Sequence, residues 1–155
     1  MMKALVTALL VATATGVSAA PASTRACDIA SEYVRLIEAH RYDEVGELWA
    51  DDAVFYSPRG VVIRGKAAIK AFYAKFLPTI TPINRIARLA WDAQQNVCTM
   101  ELETRMTRGA DGEWKPDAQG AFQAAAVDRF TVSKAGKVQH MIVYLPPNDR
   151  WAADK

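Results

Sequence analysis

The chain of 155 residues is 51% apolar and 23% charged, with 19 Lys and Arg against 17 Asp and Glu. That size and apolar fraction suit one domain with its own core, and eight Gly and seven Pro exclude a collagen-like or low-complexity chain. The near-neutral balance leaves no electrostatic footprint for nucleic acid or acidic lipid, and two Cys are too few for a four-thiolate metal site.

Residues 1–19 have the three-part layout of a secretory signal peptide. Met1 to Lys3 carries one positive charge, residues 4–14 are mainly apolar and small, and Val17-Ser18-Ala19 offers a small-x-small cleavage site. The run is shorter than the ~20 apolar residues needed to span a bilayer. Cleavage is expected after Ala19, with Ala20-Pro21-Ala22 as a second site, while Arg25 just before Cys27 disfavours a lipoprotein. The expected product is secreted or periplasmic, with no membrane attachment after cleavage. Its organisation is a flexible start over 20–27, one domain over 28–147 and a tail over 148–155.

Helices come first. Ile29, Ala30, Tyr33, Val34 and Ile37 repeat at helical spacing behind Asp28, which is placed to cap the N-terminus. A short second helix is predicted over 42–49, ended by Asp51-Asp52, and residues 53–56 read as a strand stopped by Ser57-Pro58-Arg59-Gly60. Gly65 opens a third helix with a stripe of Ala68, Ile69, Phe72, Tyr73 and Phe76, closed by Pro78. Beyond it the period changes to two, and four long strands are predicted over 83–92, 97–107, 121–133 and 137–145. The intervening turns fall at Gln94-Gln95-Asn96, Asp111-Gly112 and Ala135-Gly136. The fold class is α+β: three N-terminal helices packed on a curved antiparallel sheet.

The strand over 121–133 places Phe122, Ala124, Ala126, Asp128, Phe130 and Val132 on one face. Asp128 is the only acid there, and desolvation should raise its pKa. Tyr33 and Tyr73 lie in the apolar stripes of their helices, where each hydroxyl needs a partner. The plain structural role, in which Asp128 ties down Tyr33 or a backbone amide, fits the pattern about as well as a functional one. The neighbouring strands add Met100, Leu102, Thr104 and Met106, then Met141, Val143 and Leu145, to the same inward side. Methionines around a lone acid suit a deformable cavity for a greasy ligand, although inward methionines are commonly simple packing. His140 falls on the outer face, and His40 suits the C-terminal dipole of the first helix. Cys27 and Cys98 are the only cysteines; a disulfide between them and a pair of buried thiols remain open alternatives.

The stretch Leu48-Trp49-Ala50-Asp51-Asp52-Ala53, then Ser57-Pro58, then residues 65–73 of Gly-Lys-Ala-Ala-Ile-Lys-Ala-Phe-Tyr, resembles the NTF2-like superfamily. Within it the similarity is to ketosteroid isomerase and the SnoaL-like polyketide cyclases. Val127-Asp128-Arg129-Phe130, Ala135-Gly136-Lys137-Val138 and Met141 are similar to the corresponding isomerase strands. The resemblance spans about Asp28 to Leu145 and implies a cystatin-like cone. It further implies a homodimer through the outer sheet face, with Glu101, Glu103, Arg105, Arg129, His140, Ile142 and Tyr144 in a partly polar contact.

Carried over by position, Tyr33 matches the family's oxyanion-donating tyrosine and Asp128 its protonated aspartic acid. A carboxyl kept neutral by an apolar site donates a hydrogen bond to an enolate oxygen. Tyr73 resembles the tyrosine that supports the first one. The general base of the isomerases is an aspartate directly before the proline after the first strand, and here that position is Ser57. A serine without a base beside it does not abstract a carbon-bound proton at a useful rate. Tyr33 and Asp128 are thus the expected catalytic pair. Ser57, Tyr73, Met100, Leu102, Thr104, Met106, Ala126, Phe130, Met141 and Val143 are the expected substrate-binding residues. The expected partner is a small hydrophobic carbonyl or phenolic compound, with isomerase, lyase or cyclase-type chemistry needing no cofactor or metal. The alternative is a non-catalytic binding protein on the same scaffold.

Overall fold

The computed structural model describes residues 25–80, 83–111 and 114–145. The expected leader over 1–19 and tail over 148–155 lie outside these residues, as does Gly112 of one expected turn.

Helix α1 covers Ala26–Glu38 and buries Ile29, Ala30, Tyr33, Val34, Leu36 and Ile37, the stripe its spacing dictates. Its N-cap is Arg25 and not Asp28. Asp28 sits inside the first turn, where its charge favours the helix dipole and Arg25 Nε donates to it at 3.0 Å. Helix α2 covers Tyr42–Glu47 and stops before Trp49, which is the first residue of strand β1 (Trp49–Tyr56). Asp51 and Asp52 therefore do not form a helix–strand corner; they are exposed residues within the strand, at a break in pairing register between Trp49 and Val54. Burial of Trp49 overrides the helical period that its neighbours suggest.

A tight turn at Gly60, whose φ of 78° favours glycine, leads into the three-residue strand β2 (Val62–Arg64), too short to show a period. Helix α3 (Lys66–Ile80) runs through Pro78 instead of closing at it. Its buried line is Ile69, Tyr73 and Leu77, spaced four apart, with Phe72 partly covered; Ala68 and Phe76 face out, contrary to the expected stripe.

The long strands are β3 (Ile83–Asp92), β4 (Val97–Arg108), β6 (Gln123–Val132) and β7 (Val138–Tyr144), each ending within two residues of its predicted limits. The short β5 (Trp114–Pro116) pairs with β4. The sheet order is β2-β1-β7-β6-β4-β3. One pair departs from the expected antiparallel pattern: β1 and β7 run parallel, making the curved sheet mixed. These strands are far apart in sequence, so no hairpin constrains their direction.

A bulge between β4 and β6 changes the reading of one face. Leu102 pairs with Ala126 while Glu103 pairs with Ala124, leaving Ala125 as the extra residue. Alternation is reversed beyond it, so Phe122 and Ala124 do not share the face of Asp128. Phe122 instead stacks outside between the Arg85 and Arg105 guanidiniums, each 4.2 Å from its ring centre. The cysteines are paired: a Cys27–Cys98 disulfide joins the first turn of α1 to the start of β4. Between helices and sheet the core gathers Ile29, Tyr33, Leu36, Ile69, Met100, Phe130 and Met141.

Candidate functional site

Asp128 is on β6, opposite Met100 of β4 on one side and Val143 of β7 on the other. It is 3% exposed, and its Oδ1 has no hydrogen-bond partner. Removal from water with no compensating charge pushes its pKa up to about 7. At neutral pH this acid is therefore substantially protonated and able to donate.

Helix α1 brings Tyr33 to the same region, and α3 brings Tyr73. The Tyr33 hydroxyl donates to the Tyr73 oxygen at 3.1 Å, and Tyr73 donates in turn to Met141 Sδ at 3.7 Å. Burial raises the pKa of both phenols; the Asp128 charge raises each further, so the three groups act within one electrostatic neighbourhood. Both tyrosines consequently stay protonated. Reversing the chain, so that Tyr73 donates to Tyr33 and Tyr33 to an incoming oxygen, needs only rotation of two hydroxyls.

Phe130 meets the Tyr33 ring edge-on at 5.3 Å, while Tyr73 contacts Trp49 and Phe55 at 6.1 and 5.9 Å. Tyr33 thus meets both Tyr73 and Phe130, Tyr73 reaches Met141, and register places Met100 and Val143 beside Asp128. Leu102 and Ala126 face one another one inward row further along. Thr104 and Met106 lie beyond the bulge; Thr104 is buried, and its hydroxyl donates to the Ile83 carbonyl at 3.0 Å. Ser57 lies just past the end of β1, where extending the β1–β7 register brings it level with Val143. Its Oγ accepts the Val61 N–H at 3.1 Å, closing the β1–β2 turn.

Trp49, Phe55 and Phe72 complete the aromatic surroundings and were not among the expected site residues. Strand alternation would have brought Trp49 and Phe55 inward had β1 been read from Trp49. A separate shallow hollow of about 160 Å³ is lined by Ala87, Glu101, Leu102, Glu103, Ala124, Ala126 and Val127. Glu101 opposes Val127 and Glu103 opposes Ala124 on the outer face, and the hollow also reaches Leu102 and Ala126 of the inward row at the bulge. Among the described residues, no group of three His, Cys, Asp or Glu side chains is placed to hold a metal ion.

Residues 30–141 match the SnoaL-like domain family. No curated protein sequence matches the chain. Among solved structures, RV0760c from Mycobacterium tuberculosis is similar at 19% identity and a TM-score of 0.61, covering 79% of this chain and 94% of that one. The same protein in complex with estradiol-17beta-hemisuccinate gives 19% identity and a TM-score of 0.57, covering 81% and 96%. The epoxide hydrolase/cyclase-like enzyme SalBIII, described in pyran ring formation in the polyether salinomycin, gives 20% identity and a TM-score of 0.60, covering 79% and 91%. With the family matched over most of its length and its helices packed on a curved sheet, the chain belongs to the SnoaL-like domain family and has the NTF2-like fold.

Proposed function

We propose that this is an exported SnoaL-like protein that takes a small hydrophobic phenol or carbonyl compound against Tyr33 and Asp128. The observation that carries the reading is Asp128 itself, a buried carboxyl with an unpartnered oxygen beside a tyrosine pair. Such a group is costly to a fold unless a ligand or water completes it. A ligand oxygen would receive hydrogen bonds from Tyr33 and from protonated Asp128, and both strengthen as negative charge develops on it. Met100 and Met141 give the surroundings the adaptability that a bulky guest requires. The steroid-derived ligand of RV0760c and the cyclase-like nature of SalBIII support a ligand of this class.

With a pKa near neutrality, Asp128 would also exchange a proton with its ligand, as isomerase, lyase or cyclase-type chemistry demands. The second reading is binding without turnover. It is favoured by Ser57, which stands at the base position and whose oxygen serves the turn. Equilenin, a phenolic steroid, should bind the wild type; Asp128→Asn should retain most of that binding and Asp128→Leu should lose it. Equal binding by Asp128→Leu refutes the site. Turnover of a β,γ-unsaturated ketosteroid separates the two readings. Wild-type conversion supports chemistry, whereas activity gained only in Ser57→Asp supports a binding protein that lacks the base.

Export is supported by the leader pattern and by the disulfide, a bond characteristic of oxidising compartments. N-terminal sequencing of the protein from its native host tests the cleavage, with retention of residues 1–19 as the contrary result. Dimerisation through the outer face is supported by half-exposed Tyr144 on β7 beside Ile142, Arg129 and Glu101 on that side. Sedimentation showing only monomer at tens of micromolar, roughly the range for a modest interface, would count against it.

A further inference from the structure

The Tyr33–Asp128 site depends on where α1 lies along the sheet, because Tyr33 is the only one of its hydrogen-bonding groups carried by that helix. We infer that the Cys27–Cys98 disulfide, together with the Asn96 side chain, is a positioning device that sets Tyr33 over Asp128. This inference rests on the ligand site proposed above and adds what holds its geometry.

The disulfide is the apex of a bracket whose two arms lead to the site. Along α1, Tyr33 is six residues from Cys27, a rise of about 9 Å. Along β4, Met100 is two residues from Cys98, about 7 Å, and directly opposes Asp128. Phe130, which opposes Cys98, fills the space between the arms and meets the Tyr33 ring. The bond thus fixes the distance between the element bearing the tyrosine and the strands bearing the acid.

Asn96 adds a second tie at the same end. Its Oδ1 accepts the Ala26 N–H at 3.0 Å, and its Nδ2 donates to the Val132 carbonyl at 3.1 Å. One side chain therefore links the start of α1 to the end of β6, the strand of Asp128. Its φ of 50° is left-handed, a conformation that asparagine and glycine tolerate best. Further along the helix, Tyr33 meets Tyr73 through one hydrogen bond and an edge-on ring contact at 5.9 Å. A displacement of about 1 Å at that point is enough to cost about a hundredfold in a positioned reaction.

The groups facing Asp128 are Tyr33 from α1, Tyr73 from α3, Met100 from β4 and Val143 from β7, while Glu101 and Arg129 alternate to the opposite face. No charged side chain is among these inward neighbours. Loosening α1 therefore acts on the acid through water entry and through the loss of Tyr33.

The test compares full-length wild type with the double variant Cys27→Ala and Cys98→Ala, below the melting transition of each. Two quantities are read: equilenin affinity, and the titration of the Asp128 carboxyl carbon by ¹³C NMR. Expected are an affinity at least about tenfold weaker and an Asp128 midpoint lower by about one unit, as solvent reaches the acid. Val45→Ala, a core truncation in α2 away from the site, should lower the melting temperature while leaving both readouts in place. An unchanged midpoint and affinity in the folded double variant overturn the inference. If that variant does not fold, Asn96→Gly preserves the backbone conformation and the disulfide while removing the second tie. It should shift both readouts in the same direction, and no shift there likewise overturns the inference. If wild type itself fails to bind equilenin, the proposed ligand class fails, whereas the Asp128 titration still reports whether the bracket positions the site.

Discussion

Asp128 and Glu103 stand on neighbouring strands of one sheet, one facing the helices and the other facing out. Glu103 accepts a 2.6 Å hydrogen bond from Arg85, whose guanidinium also covers Phe122. Long side chains on that face reach both their partners and water, so its charges are readily accommodated. Asp128 has neither route: its neighbours are aromatic, aliphatic or sulfur-bearing, and one oxygen is left unpartnered. Two acids of similar intrinsic chemistry are thereby given different work. The outer acid steadies a surface, and the inner acid is left with an oxygen that no described group partners.

The largest expected effect concerns the inner face. In the chain-entropy model, a crosslink across 71 residues contributes about 4 kcal/mol, so the Cys27→Ala and Cys98→Ala double variant should lose that order of stability in denaturant unfolding. A loss below about 1 kcal/mol would show that packing alone secures α1.

Next comes the acid. The folded-state pKa of Asp128 is about 7 against an unfolded value of about 3.9. The native protein therefore holds this proton more tightly than the unfolded chain does. Its stabilising contribution is complete below about pH 4 and is lost as pH rises through about 7. Asp128→Asn should accordingly match wild type at acidic pH and exceed it by roughly 2–4 kcal/mol at pH 8. A stability difference independent of pH would mean that the carboxyl is solvated or paired.

Smaller effects sharpen the contrast. Tyr73→Phe removes the acceptor of Tyr33 and should lower stability by about 1 kcal/mol, with weakened equilenin binding. Glu103→Gln, by comparison, should change stability by less than about 1 kcal/mol and leave ligand affinity unaltered. If Glu103→Gln weakened equilenin binding as strongly as Tyr73→Phe, the two faces would not be functionally distinct.

The long elements, and the burial of the candidate residues Tyr33, Tyr73 and Asp128, are legible in the sequence because they follow simple periods. Tyr33 and Tyr73 stand on buried helical stripes, and Asp128 on an alternating strand, as their spacing indicates. Phe122 and Ala124 depart from the face their alternation predicts because a single bulge residue, Ala125, reverses it without a compositional sign. Val45, Leu48 and Trp49 fit a helical face, and only tertiary pairing with β7 makes Trp49 a strand residue. The parallel direction of β1 and β7 is likewise a property of the assembled sheet. By sequence Asn96 is an ordinary turn residue; its link from α1 to β6 joins segments 70 and 36 residues away from it.

The central claim is that burial lifts the Asp128 carboxyl to about 7, so that a large share of it is protonated and able to donate at neutral pH, and its side-chain ¹³C resonance reports this directly. Selective labelling of aspartate, with assignment by comparison with Asp128→Asn, would follow that carbon from pH 4 to pH 9. The account predicts a single transition with a midpoint at about 7, moving higher when equilenin is bound because the ligand accepts the proton-bearing bond. A midpoint at about 4, the ordinary aspartate value, would contradict it.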